Sequence, residues 1–333
     1  MVYVAVFLLS SIWLVSLAVD MGKLMTTKTE LQKAADAAAL AGASAIDPAT
    51  GKLTQATARA RAAAAASANT ALQERAVSVN IDPDNDVSFP GVRKVKVTVH
   101  REASTGNPMT TIFARTLGIT SLDVKADATA EAAPLTTDCN GVLPFAPVNN
   151  TLGGFSGACG SRDTLKTGSA TKGEFHLLSF AVCDKGPCQG KGGNGGATLR
   201  CMIENGYYCC VKIGDTWSAT VTKPGNNVGP VRDGLQVRWD SDTDKRSTIC
   251  YQQYTGNLRR VLPVPIVKTF VGLNGRTEVQ ITGFAGFFLL SRPTGQGQNL
   301  VVIGQFIDYI APGVAEDDGD PPPNSLYTVR LIE

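Results

Sequence analysis

The first nineteen positions, Met1 to Val19, carry no charged side chain. As a helix rising about 1.5 Å per residue they would span roughly 28 Å, enough to cross a hydrocarbon core of about 30 Å. The run predicts an uncleaved membrane anchor over 1–19, since it exceeds a signal-peptide core and Val19-Asp20-Met21-Gly22 offers no small-x-small exit. The helical pattern continues from Met21 to Ile46, without Pro and dense in helix formers. Leu24, Leu31, Ala38 and Ala45 recur at every seventh position, with Thr27, Ala34 and Ala41 as a companion row. Small residues on such a seam admit a closely packed neighbour. Two uses stay open: the seam packs within its own domain, or Leu24, Leu31, Ala34, Ala38 and Ala41 dock a helix of a partner in the same membrane.

Asp47-Pro48 and Gly51 break this helix, and an Ala-rich helix resumes over Leu53–Ala76. The period then shortens to two. Val77–Ile81, Val95–Val99 and Leu122–Ala132 alternate as strands with one buried face, while Pro108–Leu117 has helical spacing and stops at Gly118. The order helix, helix, strand, strand, helix, strand predicts a small α/β layer over 20–133. From Pro134 to Ala311 the apolar segments sit between Gly, Asn, Asp and Pro clusters and no amphipathic helix stands out. Strands are predicted over Phe175–Val182, Tyr207–Ile213, Gln236–Trp239, Arg259–Phe270, Thr277–Phe288 and Asn299–Ile310, with Asn274-Gly275 as a hairpin turn. Residues 312–333 read as an acidic, Pro-rich tail, solvated from Glu316 to Pro323. The fold class expected is α+β: one membrane helix, an Ala-rich helix, a small α/β layer and a β-rich domain.

Cysteine usage adds the compartment. Cys139, Cys159, Cys183, Cys188, Cys201, Cys209, Cys210 and Cys250 fall in one Gly-rich stretch, and the first 138 residues have none. An even set confined to one domain predicts four disulfides and an oxidising environment. Asp184-Lys185-Gly186-Pro187 is turn-prone, so Cys183 is expected to pair with Cys188, and the neighbours Cys209 and Cys210 to take different partners. Lys23, Lys28 and Lys33 follow the anchor and by the positive-inside rule would put the body in the cytoplasm. The two signals oppose each other.

Charge and motifs mostly exclude functions. The chain has 31 Lys and Arg against 29 Asp and Glu, so no overall field attracts nucleic acid. His100 and His176 are the only histidines and neither has a Cys or carboxylate at ligand spacing; no C-x-x-C occurs. Asp240-Ser241-Asp242-Thr243-Asp244 imitates half of a calcium loop, but Lys245 and Tyr251 occupy the positions that need Gly and Glu, and a solvated acidic turn is expected. Gly190–Thr198 lacks the order of a phosphate loop and reads as a mobile loop, and no G-x-S-x-G is present. No catalytic residue, cofactor or metal is predicted, and the chain is not expected to be an enzyme.

Asp20-Met21-Gly22-Lys23-Leu24 and Leu31-Gln32-Lys33-Ala34-Ala35-Asp36-Ala37-Ala38-Ala39-Leu40-Ala41-Gly42-Ala43, directly after the apolar run, resemble TadG-like pilus-assembly proteins of the bacterial tight-adherence (Flp pilus) machinery. The resemblance extends through Ile112–Ile119 and Val124–Ala130 and covers about 130 residues. It implies a single-pass protein of the bacterial inner membrane with a periplasmic body, in agreement with the cysteines. It implies as partners other proteins of the pilus or secretion machinery, met in a homo- or hetero-oligomer through the Ala-rich helix. The D-x-S-x-S loop of the von Willebrand A domain found in many such proteins does not occur. The basic residues that the family carries ahead of its membrane helix are missing too, which implies a start placed too late. Two functions follow as expectations: a structural component of the pilus apparatus, or a periplasmic or surface module for binding or adhesion.

Overall fold

A computed structural model describes residues 2–69, 79, 81–148, 158–167, 176–192, 195–220, 227–268, 276–315 and 325–332. The chain forms two units. The first comprises 1–45, 53–132 and 329–333; the second comprises 46–52 and 133–328.

In the first unit helix α1 (Val2–Ala43) runs unbroken for 42 residues, about 63 Å. Among the described residues no helix is long and apolar enough to cross a membrane. Most side chains of 1–16 lie outside the described set, and the anchor expected over 1–19 falls largely on them. Helix α2 (Gln55–Ser67) follows the turn made by 46–52, where the Asp47 carboxylate accepts from the Ala49 amide and the Thr50 hydroxyl. Strands β1 (Val87–Gly91), β2 (Lys94–Arg101) and β5 (Val124–Pro134) form an antiparallel sheet, and Val329–Leu331 of the last strand, β16 (Leu326–Leu331), lies beside β5. A short pair, β3 (Met109–Thr110) and β4 (Ser121–Leu122), stands apart from this sheet.

Small side chains explain how the helices seat. Ala126, Ala128 and Ala130 point inward from β5 and Val95, Val97 and Val99 from β2, into one core with Leu31, Ala34, Ala35, Ala38, Ala39 of α1 and Ala58, Ala62, Ala66 of α2. A Cβ on Gly42 would lie 2.9 Å from Val95 Cγ1 and 3.4 Å from the Ala58 carbonyl. The helix can approach the sheet this closely only where side chains are Ala or Gly. On the outer face Lys96 pairs with Asp127 at 3.0 Å, and Glu131 holds both Lys94 (3.4 Å) and Arg330 (2.6 Å).

The second unit is built on β13 (Arg276–Leu289), a 14-residue strand that pairs first with β11 (Thr216–Thr220) and then with β12 (Val261–Val267) and β14 (Val301–Ile307). The sheet runs β7 (Phe145–Ala146), β9 (His176–Ser179), β11, β13, β14, β8 (Asp163–Thr167). Apart from this sheet stand a two-stranded pair, β6 (Thr137–Asp138) with β10 (Val211–Lys212), and β15 (Tyr309–Ile310), which runs parallel to Leu326–Tyr327 of β16. Helices α3 (Gly196–Asn205) and α4 (Val228–Asp240) pack against each other where Gly234 meets Ile203, and they bury Leu199, Val231, Leu235 and Trp239 with Leu262, Val264, Phe287 and Phe306. A second cluster stacks Phe180 on Tyr207 at 4.5 Å with Trp217 edge-on at 5.2 Å.

Several expectations change. Gln236–Trp239 belongs to helix α4, not to a strand, and α3 and α4 are helices in a region expected to have none. Gly196–Thr198 open α3 rather than a loop. Pro108–Leu117 is β3 followed by a 3₁₀ turn, Ala114–Leu117. Leu326–Leu331 is not tail but strand, with Leu326 and Tyr327 buried. The strand over Val77–Ile81, the turn Asn274-Gly275 and the segment Glu316–Pro323 fall mainly or wholly outside the described residues.

Candidate functional site

The part of α1 from Asp20 to Thr27 is fixed by a row of contacts about one helical turn apart. Thr26, Thr27 and Thr29 turn their hydroxyls back on the carbonyls of Gly22, Lys23 and Met25, satisfying them within the helix. Asp20, 4% exposed, receives three backbone amides: Ile112 at 2.8 Å, Phe113 at 3.0 Å and Ala114 at 2.6 Å. Lys23 Nζ donates to the Thr110 carbonyl at 2.9 Å, and the Thr27 hydroxyl meets Met109 Sδ at 3.4 Å. Farther along, Gln32 donates to the Asp127 carbonyl at 3.1 Å.

The amides convergent on Asp20, that of Ile112 above all, hold its carboxyl below the ordinary carboxylate range against the opposing effect of burial, and Lys23 adds to this. Asp20 thus stays charged and caps the 3₁₀ turn Ala114–Leu117. Thr111 closes the loop through its hydroxyl to the Ile119 carbonyl. The turn presents Ile112, Phe113, Leu117 and Ile119 outward, at 52%, 40%, 57% and 46% exposure.

The expected seam is placed differently from a docking stripe. Leu31, Ala34 and Ala38 have no exposed surface and pack in the first unit's own core, while Leu24 and Ala41 are half-buried at its ends. The physical reason is the Ala-lined sheet beneath, which fits the same small stripe. Past residue 20, α1 leaves Met21, Met25 and Lys28 exposed, together with Gly22, Thr26, Thr29 and Lys33.

All eight cysteines are oxidised: Cys139–Cys210, Cys159–Cys250, Cys183–Cys209 and Cys188–Cys201. The expected Cys183–Cys188 pair is not formed. Gly186, at φ +73°, presses the turn onto Tyr208, where an added Cβ would lie 2.6 Å from the ring, and this brings Cys183 to Cys209 while α3 supplies Cys201 to Cys188. Cys209 and Cys210 do take different partners. Asp184 lies 3.6 Å from Cys209 Sγ, but that sulfur is already bonded to Cys183 and is no thiolate for a metal.

The Asp240–Asp244 segment is not a solvated turn. Asp240 pairs with Arg292 at 2.8 Å and Asp244 with Arg246 at 2.6 Å, while Asp242 accepts from the Tyr254 hydroxyl and the Asp244 and Arg260 amides. Arg260 is wholly buried, its guanidinium 4.1 Å over Trp239 and 4.6 Å over Phe288, donating to the carbonyls of Asp244, Arg246 and Leu289. Asp240 and Asp244 are engaged by the protein's own arginines and Asp242 by a tyrosine hydroxyl and backbone amides, so the segment offers a metal little.

Next to it a cavity of about 190 Å³ is lined by Arg238, Arg259, Asp138, Tyr208 and Tyr309. Arg238 donates to the carbonyls of Arg259, Glu204 and Val261; burial, with Arg259 beside it, lowers its pKa to about 9. Burial raises Asp138 to about 6. In the first unit His100 lies 3.5 Å from Asp86, a carboxylate that its sequence neighbourhood did not offer; the His176 side chain lies outside the described residues.

The four disulfides of the second unit fit an oxidising compartment. Residues 1–45 match the model of the Tad family, TadE/G-like Flp pilus-assembly proteins, so the chain carries a Tad domain at these residues. Comparison with curated proteins and with solved structures gives no match.

Proposed function

We propose that this protein is a structural component of a Flp-type pilus or secretion apparatus, anchored in the bacterial inner membrane by residues 1–19, with its body in the periplasm and acting through protein contacts. The observation that carries the reading is the Tad domain at 1–45, whose helix continues without a break into the first folded unit. Four disulfides support an oxidising compartment for the body. Since Leu31, Ala34 and Ala38 are occupied internally, and Leu24 and Ala41 lie on the same packed stripe, the partner's helix meets α1 on the open face of Met21, Met25 and Lys28.

The test is photocrosslinking in cells from Met25 and, as a control, from Ala38. Crosslinks from position 25 to other pilus-machinery proteins, with none from position 38, are expected. Adducts confined to the chain itself at both positions would refute an assembly role. The cavity beside Arg238 and Arg259 favours a second reading, a binding or adhesion module, in which position 25 gives no machinery adduct and pili assemble without the protein.

A further inference from the structure

We propose that the loop Thr111–Ile119 is a second membrane contact, seated in the headgroup and acyl boundary of the bilayer that α1 enters. The proposal rests on the anchor reading above.

Its argument is one of depth. Asp20 is the first charged residue after the apolar run, so an anchor over 1–19 puts its carboxylate at the membrane surface. The amides of residues 112–114 lie 2.6–3.0 Å from that carboxylate, which fixes the loop at the same level. Four large apolar side chains, Ile112, Phe113, Leu117 and Ile119, are exposed on this short loop, although Met109 just before it is fully buried. An aqueous loop gains nothing from such a patch, whereas an interfacial one gains its transfer from water. The charges suit the same place: Arg115 is exposed on the loop, and Lys23 and Lys28 follow three and eight residues after Asp20 on the helix, where anionic phosphate groups lie. Gly118, at φ +84°, lets the chain turn back after Leu117 toward β4. Helix and loop together would then hold the first unit at two points, restricting its swing about α1.

The test uses the full chain reconstituted alone into vesicles of phosphatidylcholine and phosphatidylglycerol, with a nitroxide on Phe113→Cys, Leu117→Cys, Phe7→Cys or, as the aqueous reference, Ser104→Cys. All four sites are exposed, so the label is tolerated. Collisions with oxygen should exceed those with a water-soluble nickel complex at 113 and 117 by at least threefold relative to position 104. Asp20→Ala should abolish that contrast at 113 while leaving position 7 in lipid. Water-like ratios at 113 and 117 with lipid-like ratios at 7 would overturn the loop proposal and leave the anchor standing. Water-like ratios at 7 as well would overturn both.

Discussion

Removal of single disulfides should separate the bridges by the length of chain each one closes. Cys159 and Cys250 are 91 residues apart, but Cys139–Cys210 shortens the path: from Cys159 back to Cys139, across that bridge, and on to Cys250. The closed loop is then about 60 residues, for which the loss of unfolded-state entropy gives about 4.3 kcal/mol at 25 °C. Cys188–Cys201 closes 13 residues, and the alternative route through Cys183–Cys209 is equally short. The same relation gives about 2.9 kcal/mol for that loop. The paired variants Cys159→Ala/Cys250→Ala and Cys188→Ala/Cys201→Ala should therefore differ by about 1.4 kcal/mol, a tenfold difference in folding equilibrium. Urea unfolding of the full chain in detergent, followed through the fluorescence of Trp217 and Trp239 with the remaining bridges kept oxidised, measures both. Equal losses, or a larger loss on removing the shorter bridge, would refute the reasoning.

Gly42→Val should destabilise the first unit by about 1–3 kcal/mol, because the new side chain meets Val95 and α2 where nothing can retreat; thermal unfolding measures it. Gly234→Val should do the same to the second unit through Ile203 and the Arg200 carbonyl. Asp138 has its folded pKa raised from 3.8 to about 6, so the folded chain binds more protons than the unfolded one and this group's contribution to stability falls as pH rises between the two values. Relative to the parent, Asp138→Asn should thus gain up to about 3 kcal/mol between pH 4 and 7, and a gap independent of pH in urea titrations would disprove the assignment. Arg260→Leu, which leaves the buried carbonyls of Asp244, Arg246 and Leu289 without their donor and removes a positive charge near Asp242 and Asp244, should cost about 3–5 kcal/mol and alter Trp239 emission.

Where the sequence pattern was read correctly, local periodicity and burial agree. The alternation of Val95, Val97 and Val99, and of Ala126, Ala128 and Ala130, reappears as inward positions of β2 and β5. Strands β12 and β14 lie within the segments expected from β-branched and aromatic runs, and β13 overruns its segment by one residue at each end. Helix α4 escaped because Gly229, Pro230 and Gly234 interrupt its pattern. Pro230 sits in the first turn, where no internal amide bond is lost, and Gly234 serves the crossing with α3. The segment 108–117 has helical spacing, yet its conformation is set by a carboxylate 92 residues earlier, beyond any local pattern. An Ala seam has the same spacing whether a partner or its own sheet covers it, so its direction could not be read. Asp20 carried one available signal, a lone charge ending an apolar run; Arg260 carried none, since a buried arginine looks like any other in sequence.

The first unit is discontinuous in the chain, and this orders its construction. Glu131 holds Arg330, and the Ile332 amide donates to the Thr129 carbonyl at 2.9 Å, so the edge of the first sheet is supplied by residues made nearly two hundred positions later. A chain made from its N-terminus must synthesise all of 133–328 before that edge can close. The unit that carries α1 is therefore completed last, and a chain cut short before β16 leaves β5 with an open edge, a template for pairing with another chain.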